Sequence, residues 1–133
     1  MNRAICTYCS GLKRDDDGLL PAFERYRSRR IRTLALRAAW EQRPFLILSG
    51  EYGLITPDTL IPWYDHLLVE AEIEGMVEHV MGQIVAERLD AVEYHTAPLT
   101  ADPLVKPYFD LISSACARAG VELDVQLLPP GLI

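Results

Sequence analysis

The sequence lacks any apolar run close to the roughly 20 residues that a helix needs to cross a bilayer. It has only three cysteines, an odd number that does not suit a disulfide framework. The chain starts at Met1 and runs almost directly into a short apolar segment, with no targeting pattern. We therefore expect a reduced, cytoplasmic protein that makes no membrane contact.

Basic residues are also scarce. The chain has 13 Lys and Arg but 19 Asp and Glu, which gives a formal net charge of −6. Binding to nucleic acid without sequence preference needs many cations against phosphates, so a small-molecule ligand is favoured over nucleic acid. The local exception is a cluster of five arginines, Arg25, Arg27, Arg29, Arg30 and Arg32. We interpret the cluster as a solvated helix face, and a phosphate-binding patch stays open as the alternative.

The composition predicts one ordinary folded unit. Half of the 133 residues are hydrophobic and 24% are charged, which is typical of a globular chain that buries its own core. We expect a single α/β domain over residues 1–133, and assembly into a homo-oligomer stays open.

The spacing of hydrophobic residues predicts the positions of the strands and helices. Short apolar runs predict four strands, over residues 4–9, 44–50, 91–95 and 121–127. Apolar positions at steps of three and four predict three helices, one capped by Ser28, one over 73–85 and one between Asp102 and Gly120. This alternation requires a four-stranded, mostly parallel sheet with right-handed crossovers. Ligands of such sheets bind at the edge where the strand C-terminal ends meet.

The loop after the first strand carries Cys9, Ser10, Gly11 and Lys13. These groups could cradle a phosphate or carboxylate, or a desolvated Lys13 could act as a nucleophile or base. The alternative is an exposed lysine on a mobile acidic loop. Cys6 and Cys9 have the spacing of a metal-binding pair, but no second pair of ligands accompanies them. We expect no metal and no cofactor.

The loop after the second strand, Ser49-Gly50-Glu51-Tyr52-Gly53, places two glycines around a carboxylate and a phenol. The glycines would let the backbone approach a planar ligand, and Tyr52 would offer a stacking face. Glu51 could act in proton transfer, with a tight turn and a solvent-facing Glu51 as the alternative.

Two further acid/base candidates follow. Asp65 precedes His66 in the long connection over residues 51–66, where it could act in catalysis or cap the next helix. His95 ends the third strand, and its position makes it a candidate general acid or base. A boundary histidine is the alternative.

These motifs resemble a small bacterial family of uncharacterised proteins with a Cys-Ser-x-x-Lys element, a Tyr-x-Ser and a Leu-Ser-Gly/Ala-x-Tyr/His-Gly-Leu-Leu loop. The matching residues here are Cys9-Ser10 with Lys13, Tyr26 with Ser28, Leu48 through Leu54, Pro62 and Tyr64-Asp65. The lysine element also resembles the core domain of archaeosine synthase, which acts on a deazaguanine base in transfer RNA and has a uracil-DNA-glycosylase-like fold. The resemblance implies a site for a nucleobase or nucleotide on a three-layer α/β/α sheet of order 2-1-3-4.

The leading hypothesis is an enzyme that acts on a nucleoside, nucleotide or modified nucleobase at the N-glycosidic bond. Its catalytic residues would be Lys13, Glu51, Asp65 and His95. Its binding residues would be Cys9, Ser10, Tyr26, Ser28, Ser49, Gly50, Tyr52, Gly53 and Tyr64. The rivals are a non-catalytic module that binds a nucleotide or a nucleic-acid end, and a protein-interaction subunit that uses Trp63 and Tyr64.

Overall fold

The computed structural model describes residues 2–133, which form seven strands and four α-helices. The strands are β1 Arg3–Tyr8, β2 Leu20–Pro21, β3 Phe45–Ser49, β4 Gly53–Ile55, β5 Leu60–Ile61, β6 Ala91–Thr96 and β7 Glu122–Leu127. The helices are α1 Ala22–Arg25, α2 Arg29–Trp40, α3 Ile73–Ala86 and α4 Lys106–Ala119.

The main sheet has five strands in the order β4-β3-β1-β6-β7, so the prediction of a four-stranded sheet is wrong. The strands β3, β1, β6 and β7 are parallel, and the order 2-1-3-4 describes only these four. The additional strand β4 is antiparallel to β3 and pairs Leu54 with Leu48. At three residues, β4 is too short to show an alternation in sequence. A separate two-stranded ribbon joins β2 to β5.

The helices cover both faces of the sheet. Thr7 on β1 bonds to Arg30 of α2, whereas the preceding Cys6 lies near Cys116 of α4. Successive strand residues point to opposite faces, so α2 lies on one face and α4 on the other. The helix α3 packs along α4. The protein is therefore a mostly parallel α/β structure in three layers.

The helix ends follow ordinary capping chemistry. The Ser28 hydroxyl accepts a hydrogen bond from the Ile31 amide at 3.1 Å, which begins α2 as predicted. The third predicted helix begins with a single turn capped by Asp102, and α4 itself starts only at Lys106. Gly120, with a φ of 70°, ends it. Within residues 2–133, no helix is both long enough and apolar enough to cross a membrane.

The turn between β3 and β4 depends on Gly53. Its φ is +74°, and a Cβ atom there would lie 2.5 Å from Gln83 Oε1 and 2.9 Å from His79 Cδ2. The Gln83 side chain cannot move away without losing two hydrogen bonds. It accepts from the Leu54 amide at 2.7 Å and donates to the Leu54 carbonyl at 2.9 Å. A single glutamine thus joins α3 to the edge strand β4.

We predict that Gly53→Ala lowers the free energy of unfolding by about 1 to 3 kcal/mol, since it adds backbone strain and disturbs Gln83. The matched control is Gly82→Ala, which lies on the exposed surface of α3 with nothing within 4 Å of the new Cβ atom. The control should raise stability by about 0.5 to 1 kcal/mol. Urea denaturation measures both, and equal effects of the two substitutions would contradict the role of Gly53.

Candidate functional site

A cleft of about 230 Å³ opens at the sheet edge where β1 ends. We call it the Lys13 cleft. It is lined by the last residue of β1 and the residues that follow it, by the segment 65–67, and by residues between β6 and the first turn of α4. The lining residues are Tyr8, Cys9, Ser10, Gly11, Lys13, Asp65, His66, Leu67, Asp102, Leu104, Val105 and Tyr108.

Lys13 is half-buried on the wall of this cleft. Its backbone forms an isolated antiparallel bridge with Tyr26, and its Nζ lies 4.5 Å from the ring centroid of Tyr64 and 5.8 Å from that of Tyr26. Burial lowers the pKa of the Lys13 ammonium, and the nearby Cys9 and Asp65 oppose this effect. Burial therefore favours the neutral form of this amine more than in an exposed lysine.

A hydroxyl network supports the aromatic rings behind Lys13. The Tyr64 hydroxyl lies 2.5 Å from that of Tyr26 and 2.9 Å from Ser49 Oγ. Ser49 Oγ also accepts hydrogen bonds from the amides of Glu51 and Tyr52. Because these two amides occupy its lone pairs, the Ser49 hydroxyl donates to Tyr64. Burial raises the pKa of both Tyr26 and Tyr64, so these phenols stay neutral and hold the lysine in place.

The floor of the cleft is aromatic. The rings of Tyr8 and Tyr108 are almost fully buried, with centroids 6.2 Å apart. The Tyr108 hydroxyl accepts from the Leu68 amide at 3.0 Å and lies 3.8 Å from Cys9 Sγ. Gly50 allows this arrangement, since a Cβ atom there would lie 3.0 Å from Leu68 Cβ. The segment 65–68 is thereby held against both the floor and the loop after β3.

The end of β1 is fixed by the buried side chain of Arg30. Its Nη1 donates to Thr7 Oγ1 at 2.7 Å and to the Tyr8 carbonyl at 2.5 Å, and its Nη2 donates to the Cys9 carbonyl at 3.1 Å. The guanidinium carbon also lies 3.7 Å from the centroid of the Tyr8 ring. Arg25 is fully buried as well, so the interpretation of the arginine cluster as a solvated face is wrong for these two residues.

The structure brings together only part of the predicted site. Lys13, Asp65, Cys9 and Ser10 line the Lys13 cleft, and the predicted binding residues Tyr26, Ser49, Gly50 and Tyr64 support it from behind. Tyr52 packs edge-on against the Tyr64 ring, with centroids 5.3 Å apart, and Gly53 lies in the β3–β4 turn. Ser28 caps α2 and lines a neighbouring cleft.

Glu51 does not line the Lys13 cleft, but it contacts His66, which does. Its Oε2 lies 2.5 Å from His66 Nδ1, and His66 Nε2 lies 2.7 Å from Glu72 Oε2. A neutral imidazole can donate to only one of these carboxylates, whereas an imidazolium donates to both. The hydrogen bonds to Glu51 and Glu72 therefore raise the pKa of His66. This contact ties the loop after β3 to the segment that precedes α3.

His95 is also engaged elsewhere, in a charged cluster on the α2 face of the sheet. Its Nε2 lies 2.6 Å from Glu93 Oε2, and Arg37 and Arg43 bind the same carboxylate at 2.9 and 3.2 Å. Thr7 of β1 points to the α2 face of the sheet. His95 is its register partner on β6 and points to the same face. The Lys13 cleft lies instead beyond the end of β1. The structure thus does not bring His95 to Lys13.

Sequence reasoning missed several lining residues, chiefly Tyr8, Asp102 and Tyr108. Tyr8 is the last residue of β1, and the other two follow β6. Because β1 and β6 are parallel, the loop after β6 lies at the same edge as Lys13. That topological signal could have identified Asp102, while nothing in the local pattern distinguishes Tyr108 from a core residue of α4.

Among residues 2–133, no group of three or more His, Cys, Asp and Glu side chains is arranged to hold a metal ion. Comparison with known proteins found no matching family model, no matching curated protein and no matching solved structure. The geometry of the cleft therefore carries the functional argument.

We predict that the chain's two lysines, Lys13 and Lys106, acylate with different pH profiles. Burial lowers the pKa of Lys13, whereas the hydrogen bond to Asp110 raises that of Lys106. Brief treatment with acetic anhydride across a pH series, read by peptide mass spectrometry, should give a half-maximal pH below 10.5 for Lys13 and above 10.5 for Lys106. Asp110→Asn should move only the Lys106 profile. Coincident profiles in the parent protein would contradict the environment assigned to Lys13.

We also predict that His66 makes stability fall with rising pH. Its pKa is raised in the folded state above the usual 6.5, so its contribution is complete below pH 6.5 and is lost as pH rises through the folded pKa. Glu51→Gln should lower the His66 pKa measured by NMR, whereas Glu78→Gln, on the exposed surface of α3, should not. An unchanged His66 titration in Glu51→Gln would contradict the contact.

Proposed function

We propose that the Lys13 cleft is the active site of an enzyme that acts at the N-glycosidic bond of a nucleoside, nucleotide or modified nucleobase. The observation that carries the proposal is the half-buried Lys13 amine, whose pKa is lowered and which lines the same cleft as the Asp65 carboxylate. A desolvated amine beside a carboxylate is a nucleophile paired with a proton acceptor.

The aromatic floor supports a planar or sugar-bearing ligand. The buried rings of Tyr8 and Tyr108 form an apolar surface, while Ser10 and Asp102 add hydrogen-bonding groups to the lining. Ligand sites of this kind combine a mostly apolar wall with a few polar groups that orient the ligand. A nucleoside matches both parts of the cleft, because its flat base can pack on the aromatic surface and its hydroxyls can bond to the polar groups.

In the proposed step, the neutral amine of Lys13 forms a bond to the anomeric carbon, and the base departs with the electron pair of the glycosidic bond. Asp65 takes the proton that the amine loses and delivers it to the leaving nitrogen of the base. The sugar adduct then opens to an imine, and one water molecule hydrolyses it to the free sugar and the original amine. Overall, one water molecule is consumed and one glycosidic bond is broken.

Glu51 and His95 have no direct part in this step, because neither lines the cleft. Glu51 is bound to His66, and His95 is bound to Glu93. Their contribution is to position the surrounding loops and strands. The proposal therefore reduces the four candidate catalytic residues to Lys13 and Asp65.

We predict that the protein releases free base from at least one member of a panel of nucleosides, nucleotides and deazaguanine derivatives, read by mass spectrometry. Lys13→Ala should lower the rate by at least about 100-fold, because it removes the nucleophile. Sodium borohydride added during turnover should reduce the imine and fix one sugar on the Lys13 peptide.

The controls separate the nucleophile from its charge. Lys106→Ala, at the exposed second lysine, should retain the parent rate, whereas Lys13→Arg keeps the charge and should remain inactive. If Lys13→Arg released base at the parent rate, the covalent step would be contradicted. Absence of turnover together with thermal stabilisation by one panel member would instead favour the non-catalytic binding module.

A further inference from the structure

A second cleft, of about 290 Å³, adjoins the Lys13 cleft. We call it the arginine cleft. Five residues line both clefts, namely Tyr8, Cys9, Ser10, Gly11 and Asp102. The end of β1 therefore forms a shared wall, and one ligand can extend from one cleft into the other. The remaining walls of the arginine cleft come from the residues around the start of α2 and from residues 131–133.

The five clustered arginines divide into two groups. Arg25 donates to the backbone carbonyls of residues 14, 16, 18 and 61, Arg30 binds the end of β1, and Arg32 lies over the ring of Phe23. Within residues 2–133, the side chains of Arg27 and Arg29 have no hydrogen-bond or ion-pair partner. These two exposed side chains are also the ones that line the arginine cleft with Arg30.

The side chains that line this cleft carry more positive than negative charge, with Arg27, Arg29 and Arg30 against Asp102. The first turn of α2 contains no acidic residue and carries Arg29 and Arg30, next to Arg27. Like charges repel one another, and cations at the positive end of a helix dipole add to the cost. Asp102 is the one acidic side chain on the described wall, and its carboxylate already accepts the Leu104 amide at 3.1 Å. A bound phosphate would supply the missing negative charge.

We propose that the arginine cleft binds the phosphate of a mononucleotide whose nucleoside part occupies the Lys13 cleft. This inference rests on the proposed function and names its substrate class as phosphorylated. Arg27 and Arg29 are the phosphate ligands, and the shared wall of Ser10 and Gly11 lies beneath the sugar. A free mononucleotide fits better than a nucleic-acid end, because the chain carries a formal net charge of −6.

The test compares inorganic pyrophosphate, guanosine and guanosine 5′-monophosphate by isothermal titration calorimetry at low salt. The variants are Arg27→Gln and Arg29→Gln, with Arg32→Gln as a matched control from the same cluster. We expect each of the first two to weaken pyrophosphate and the monophosphate by about 10- to 100-fold, the loss of one charge-assisted hydrogen bond or more. Guanosine should be affected less than twofold, and Arg32→Gln should resemble the parent.

Several results would overturn the inference: no pyrophosphate binding by the parent, equal losses in Arg32→Gln, or a 5′-phosphorylated oligonucleotide that binds over tenfold tighter than the monophosphate. The last result would assign the site to a nucleic-acid end. The pyrophosphate measurement needs no turnover, so it should also succeed in Lys13→Ala. Arginine-dependent binding of pyrophosphate and monophosphate without base release would retain the phosphate site and reject the glycosidic reaction.

Discussion

The wall that the two clefts share depends on one buried cation, Arg30. Its guanidinium binds the Tyr8 and Cys9 carbonyls and stacks on the Tyr8 ring, so the end of β1 cannot move independently of α2. A buried charge without a carboxylate partner is tolerated only where several acceptors surround it. Because the strand end forms the wall shared by both clefts, Arg30 fixes the position of that wall relative to α2.

Arg25 applies the same physical device to a different loop. Its fully buried guanidinium donates to carbonyls of Arg14, Asp16 and Gly18, which organises the acidic segment that follows Lys13. The sequence could show that five arginines are close together, but not that two of them are buried. Their acceptors are backbone carbonyls, which every residue carries, so no residue type upstream or downstream marks them in advance.

Those parts of the fold governed by local burial could be predicted, and those governed by long-range pairing could not. The strands β1, β3 and β6 are continuous buried runs, and the Ser28 cap is a local hydrogen bond. The short strand β4 depends instead on its pairing with β3 and on Gln83 from α3. The site follows the same rule. Lys13 lies at the edge that the strand order implies, whereas Glu51 contacts His66, which only the folded chain brings near. His95 contacts Glu93, two residues earlier on β6, and strand alternation alone places these two side chains on one face.

The charge in the arginine cleft bears on the protonation of Lys13 in the neighbouring cleft. Two effects compete at Lys13: burial favours the neutral amine, whereas the Tyr64 ring and nearby negative groups favour the ammonium. A ligand that filled the cleft would remove more water from the amine and shift this balance toward its neutral form. A phosphate on the same ligand would reverse the shift if its charge were unpaired. In the proposed complex, Arg27 and Arg29 in the adjoining cleft would neutralise that charge and leave the effect of burial on the lysine in place.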